Sequence, residues 1–327
     1  MGWSSLLPSG IRDWMERREA LREIQEIADE QTLKLKSDDN NPVNLAKIAL
    51  SLNDPEGALQ HWRNALTRFP QFTKTNPDSL DIMIRLQLFD EADSIMRECM
   101  KHFPADSFYA AGYALVAQER KDIPEATKRW KYVLKHHPSW WKPYVHYAVM
   151  LCEGGEKEEA DVILTKAISQ FPDEPIPRIE WARNAERRGR TEEALARWQN
   201  VYDRFKHGTA DIGIAKALDQ LGRTEEAEAH LQEAKVRSPL VHELRMILAH
   251  LALKRGDTDE ALRRWMEVRT RFPLLPFGYQ GEGHLLRDLG RFDEAEAVIH
   301  EAKDRFPHET WPDNELRTTQ KAREAAA

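Results

Sequence analysis

Cysteine is nearly missing from this chain. Two thiols, Cys99 and Cys152, cannot build a disulfide framework, and no CxxC pair is present to hold zinc. Long apolar runs are missing as well, with no stretch of about 18 such residues to span a bilayer. The opening MGWSSLLPSGIRDW lacks a basic leader, and its apolar run is too short for a signal peptide. Together these point to a reduced, cytoplasmic protein without a membrane span. There is no excess of positive charge: the formal net charge is -7, spread over both signs, which disfavours a general nucleic-acid binder. GxGxxG, P-loop, HExxH and GxSxG signatures are all absent. His136-His137 precedes a proline and reads as a turn rather than a metal site. Cys152 has no His or Asp partner that the sequence can place beside it, so it reads as an inert thiol. The expectation is a non-enzyme with no cofactor and no metal.

What is present is a period. Prolines recur at Pro70, Pro104, Pro138, Pro172, Pro239, Pro273 and Pro307, at 34-residue spacing with one gap of 67. Phe205-Lys206 stands in the vacant slot. Twelve residues before each slot is an alanine: Ala58, Ala92, Ala126, Ala160, Ala194, Ala227, Ala261 and Ala295. A turn, a small residue, an amphipathic helix and a proline stop repeat at fixed phase, and a period of this length means a helical solenoid. With 31% charged and 41% hydrophobic residues, the 327-residue chain fits a folded, strongly helical array.

The spacing predicts eight helical hairpins, at 39–72, 73–106, 107–140, 141–174, 175–207, 208–241, 242–275 and 276–309. Asn41-Pro42 and Asn76-Pro77 place a capping side chain before a proline at the first helical position. Gly155, Gly189, Gly222, Gly256 and Gly290 sit between the two helices of a hairpin, where positive φ ends the first one. The Thr-Glu-Glu and Asp-Glu runs that follow (Thr191, Thr224 and Asp293 lead them) are expected to cap the second helix and match its charge. The proline at the repeat end should prevent helical continuation. Small residues also recur in the first helices, at Ala46, Ala114, Ala148, Ala182, Ala215, Ala249 and Gly283, allowing two backbones to approach closely. Segment 1–38 is expected to hold a covering helix over 11–36, stapled by Trp3 and Trp14. Segment 310–327 is expected to hold a second cover, with Trp311 beneath a helix starting at Pro312 and Asp313.

Tyr147-Ala148, Ala160, Leu164, Ala167 and Pro172, and again Trp181-Ala182, Ala194, Trp198 and Val201, resemble the tetratricopeptide repeat across about 270 residues. The resemblance implies an all-α fold, a right-handed α-α superhelix of helix pairs whose concave groove is lined mainly by first helices. Repeat two departs most, with Leu80 at the small-residue slot and no glycine between its helices. The chaperone-binding members' Lys/Asn/Asn/Lys/Arg set has no match here, so chaperone co-factor activity is not implied.

A second layer doubles the period. Trp62, Trp130, Trp198 and Trp265 alternate with Met96, Leu164, Leu231 and Ile299 at one slot, so the unit is about 68 residues and the tryptophans are expected in the core. The stretch RFKHGTADIG breaks the phase and suggests a kink near Lys206–Thr209.

In the implied groove, the candidates of repeats five to eight are Arg183, Arg187, Lys216, Arg245, His250, Lys254, His284 and Arg287, with Glu180 and Glu186 among them. Those of repeats one to four are Asn44, Lys47, Asp81, Arg85, Gln118, Glu119, His146 and Glu153. Spaced arginines and lysines on rigid helices can hold carboxylates or phosphates, so the expected partner is a protein or peptide of acidic character. Long charged side chains solvating an ordinary helix face are the competing reading. Trp140-Trp141 with Lys142 forms an aromatic pair in a loop, either a staple or a peptide contact. The leading function is a protein-interaction scaffold. The RW…RFP cadence is similar to bacterial repeat arrays that work with glycosyltransferases and sulfotransferases, which gives an accessory role beside a separate transferase chain as the second reading. An RNA-processing scaffold is a third, opposed by the acidic balance.

Overall fold

A computed structural model of the chain describes residues 41–326. The expected covering helix over 11–36, with Trp3 and Trp14, lies outside the described residues. Among those residues every regular element is a helix. The chain divides into two compact units at Ile163–Leu164, inside one helix.

The first unit contains α1 (Pro42–Ser51), α2 (Pro55–Arg68), a short α3 (Pro70–Thr75), α4 (Pro77–Arg85), α5 (Phe89–His102), α6 (Ser107–Glu119), α7 (Ile123–His136), α8 (Lys142–Glu153) and the start of α9 (Lys157–Gln170). The second runs from the end of α9 through α10 (Pro175–Arg187), α11 (Thr191–Phe205), α12 (Gly208–Gln220), α13 (Thr224–Arg237), α14 (His242–Lys254), α15 (Thr258–Arg271), α16 (Phe277–Asp288), α17 (Phe292–Arg305) and α18 (Trp311–Ala326). Within each unit successive helices pack on one another, first helix against second and second against the next first.

The hairpin turns share one backbone device. In each, an N–H reaches back five residues to close the end of the first helix, from Asp54 to Ala49 through to Arg291 to Leu286, at 2.8–3.1 Å. The residue before that donor has positive φ. Five times it is glycine, as expected, but in the first three hairpins it is Asn53, Gln87 and Lys121, at φ 59°, 58° and 66°.

The caps follow the sequence in part. Asn41 and Asn76 accept from the backbone N–H of Val43 and Asp78 at 3.0 and 2.9 Å. Thr191 and Thr224 do not cap; they are already helical, and Thr224 Oγ1 turns to Asp219 at 3.0 Å. Their place is taken by arginine. Arg190, Arg223 and Arg291 stand at the cap and pair with the glutamate three residues on, Glu193, Glu226 and Glu294. Aspartate caps elsewhere: Asp54, Asp122 and Asp257 accept from backbone N–H groups at 2.9, 3.2 and 3.1 Å. Pro70 does more than expected: α2 stops before it, at Arg68, and Pro70 itself opens α3, because a proline lacking its N–H fits the first helical position.

The core runs along the facing sides of the pairs. All eight second-helix alanines are at most 1% exposed, and Trp62, Trp130, Trp198 and Trp265 at most 4%, so the tryptophan slot is interior. Leu80 is also buried, and its bulk is taken up by Gly112, where an added Cβ would fall 2.9 Å from Leu80 and 2.8 Å from Met96. Near the phase break, Lys206 at φ 50° ends α11, and α12 starts two residues later. The last helix begins at Trp311, whose ring lies 6.2 Å from Phe306, and it buries Pro312 and Thr319.

Candidate partner-binding faces

The arginine that precedes each later tryptophan is a buried rivet. Arg129, Arg197 and Arg264 each donate to a carbonyl of their own first helix, Tyr113, Trp181 and Leu248, at 2.7, 2.8 and 2.6 Å. Arg129 and Arg197 also lie over the rings of Tyr113 and Trp181, 3.5 and 4.0 Å from their centroids. Asp93 holds Arg129 at 2.7 Å, and Glu228 holds Arg264. The RW half of the cadence is therefore packing. So is part of the RFP half, since Arg204 and Arg271 donate to the carbonyls of Pro172 and Pro239.

That same carbonyl explains Arg245. Tyr144, Arg178, Arg245 and Tyr279 each stand six residues after a repeat-end proline and donate to its carbonyl oxygen. Arg245 is 5% exposed and also donates to Glu267 at 3.0 Å, so it locks a turn and presents no free cation. The other candidates of the second unit fall into two groups. Most meet carboxylates of the chain itself: Arg183 and Arg187 converge on buried Glu180, Lys254 reaches Asp219 at 2.7 Å, and His284 and Arg287 meet Glu315 of α18 at 3.0 and 2.6 Å. Lys216 is exposed with no ion pair to a described residue, and His250 stands edge-on to Trp265, its centroid 5.0 Å away.

In the first unit the candidates also separate. Lys47 pairs with Asp78 at 3.0 Å, and Asp81 lies 4.0 Å from Arg85. Asn44 and Glu153 are exposed. Gln118 is buried and accepts from Trp130 Nε1 at 3.1 Å. Exposed His146 stacks on Trp130, 5.8 Å between centroids and 3° from parallel. Partial loss of hydration beside that ring, and then the nearby Lys142, hold the His146 imidazole below its ordinary pKa, against the field of Glu119.

Beside this stack an apolar cleft of about 210 Å³ opens between α6 and α8, lined by Leu80, Phe108, Leu115, Trp130, Trp140 and His146, with Ala111 and Gly112 in its wall and Lys142 at its edge. Trp140 joins this lining, while Trp141 stands immediately before α8. The ammonium of Lys142 lies 5.9 Å from both indoles. Of this lining the sequence marks His146 and the Trp140–Lys142 run as candidate contacts, and Leu80 and Trp130 as packing positions. The missing signal was in α6: from Phe108 to Ala117 it has no charged or amide side chain, and its polar side-chain atoms are the hydroxyls of Tyr109 and Tyr113 alone. A first helix with so little that is polar to face water has more apolar surface than one core can take.

Both cysteines are buried, and burial pushes the Cys99 thiol up to about 11, away from the thiolate form. Among the described residues no group of His, Cys, Asp or Glu is set to hold a metal ion, and no helix is long and apolar enough to cross a membrane.

Tetratricopeptide repeat family models match residues 179–242, and 242–265 with 281–301. No curated protein sequence matches the chain. Among solved structures, yeast Tom70 is similar over 98% of this chain and 76% of its own, at 14% identity and a TM-score of 0.60. The APC/C hetero-tetramer Cut9-Hcn1 is similar over 88% of this chain, at 14% identity and a TM-score of 0.46. This chain covers 57% of that one. A tetratricopeptide repeat protein from Parabacteroides merdae is similar over 70% of this chain and 91% of its own, at 13% identity and 0.45. At these identities the likeness concerns the fold alone.

Proposed function

The chain is a tetratricopeptide repeat protein, and from that premise we propose that it is a non-enzymatic scaffold holding a segment of a partner protein against its first-helix faces. The observation that carries this reading is the cleft between α6 and α8, where half-buried Phe108, Leu115 and Trp140 form a concave apolar opening on first-helix faces. The polar contact region of the second unit is Lys216 with Arg183, Arg187, His250 and Lys254, which suits an acidic partner. Most of these cations already have an internal carboxylate, so they add orientation and encounter rate more than affinity. The transferase reading has lost its cadence to packing, and no surface feature favours it. Two buried cysteine thiols suit a reducing, cytoplasmic setting.

A photocrosslinking amino acid at Leu115 or Lys216, on first helices, tests the reading against the same group at Lys131 or Glu233, exposed on second helices. One protein partner should crosslink from the first-helix positions. Crosslinks arising only from the second-helix positions would overturn the assignment.

A further inference from the structure

We propose that the cleft between α6 and α8 receives one large apolar side chain of a partner segment whose neighbouring residue carries a carboxylate, read by Lys142. This deepens the scaffold reading and rests on it.

Size separates an anchor side chain from a metabolite. At about 210 Å³ the cleft is smaller than the roughly 300–1,000 Å³ of small-molecule sites, and it suits one side chain of a longer ligand. Its lining supports the same choice. Leu80, Phe108, Leu115, Trp130 and Trp140 are apolar or aromatic, and of the lining side chains only His146 and Lys142 are titratable. A polar metabolite would leave its donors and acceptors unpaired there, whereas an aliphatic or aromatic side chain leaves none.

Charge then selects the neighbour. Lys142 is exposed, and no carboxylate of the described residues lies within ion-pair distance of it, unlike Lys47, Lys74 and Lys254, which all have one. It also occupies the place over Trp140 and Trp141 that a cationic guest would need, so a methylated lysine or a choline-like group is repelled. His146 is held toward its neutral form by partial loss of hydration and by Lys142, which leaves Lys142 as the cation of the mouth at neutral pH. Glu119 is the one carboxylate whose field reaches His146, and it lies on the preceding first helix. A partner carboxylate would stand by Lys142, and the apolar side chain beside it would enter between Phe108 and Trp130.

The test is selection of a random peptide-display library on the full chain, followed by titration of a labelled winning peptide. The expected consensus is a large apolar residue adjacent to Asp or Glu. Replacing that anchor by alanine should weaken binding about thirtyfold. Lys142→Glu should weaken it about tenfold or more, and reselection on this variant should turn the neighbour from acidic to basic. Leu115→Trp, which fills the cleft from a half-buried position, should abolish binding while the helical circular dichroism spectrum is kept. A winning peptide indifferent to both variants but lost on Lys216→Glu would overturn the cleft and keep the scaffold. A consensus without an apolar anchor, or with a basic neighbour on the wild-type chain, would overturn the proposal, and no enrichment from any library would overturn both readings.

Discussion

The tryptophan slot is filled alike in the two units, but its far side is built differently. In the second unit Trp198 and Trp265 are seated on Gly213 and Gly281 of the following first helix, where an added Cβ would fall 2.3 Å from ring atoms. In the first unit the residue facing Trp130 is His146, an imidazole stacked 5.8 Å away. Glycine lets the next helix close down on the indole and leaves no opening. Histidine props it off, and the apolar cleft lies beside that prop. The turns show the same contrast. The second unit gives every positive-φ position inside a hairpin to glycine, while the first gives three of them to Asn53, Gln87 and Lys121. The unit that carries the α6–α8 cleft is thus also the one that departs from the local turn rule.

If the units differ in the seat and not in the rivet, the rivet must matter equally in both. Arg264 is buried and Arg129 nearly so, each against a first-helix carbonyl and carboxylates, so replacing either by alanine strands those partners. Each change should cost about 3–5 kcal/mol, the largest effect expected here, read as lost denaturant resistance and lost hydrogen-exchange protection around the altered hairpin. Unequal losses would show that the units are held together by different means. The seat should break the symmetry. Gly281→Ala forces a methyl into the Trp265 ring and should cost about 1–3 kcal/mol. His146→Ala removes a prop from an open edge and should cost less than about 1 kcal/mol. A neutral Gly281→Ala would mean that the close seat is not what separates the units.

Much of this was legible from spacing alone. Period, alanines, prolines and alternating tryptophans are set by what stacked helix pairs demand of each position, so the hairpins and their core follow from the letters. Two classes of residue were not legible. Buried arginines such as Arg245 look like surface cations in a sequence, because only the structure shows the proline carbonyl and the Glu267 carboxylate they meet. The cleft was obscured for the opposite reason: Phe108, Leu115 and Trp130 read as ordinary core, and core and open apolar wall are the same residues until the neighbouring helix is placed. Only the uncharged run of α6 hinted at the excess.

The turns allow a smaller and opposite-signed comparison. Gln87→Gly and Lys121→Gly relieve side chains held in the left-handed region and should stabilise the first unit by about 0.5–1 kcal/mol each. Gly222→Ala puts a side chain into that region with open space around it, so backbone strain is its only cost, about 1 kcal/mol. Urea midpoints moving in the same direction for all three would refute a conformational origin.

The smallest effect concerns acid. Glu260 is held down to about 2, first by the Arg263 hydrogen bond and then by Arg264, and burial opposes both only in part. A carboxylate lowered in the folded state stabilises above its unfolded pKa near 4.5 and loses that contribution as pH falls toward 2. Glu125 fills the same slot in the first unit, also lowered, with Arg129 as the main cause. Glu260→Gln should therefore cost about 0.5 kcal/mol or less at neutral pH, and the gap from wild type should close between pH 5 and pH 2. Glu125→Gln should show the same convergence. A gap that widens with acid in either unit would assign these glutamates some role other than holding the rivet arginines, and the shared framework on which the contrast of seats depends would fail.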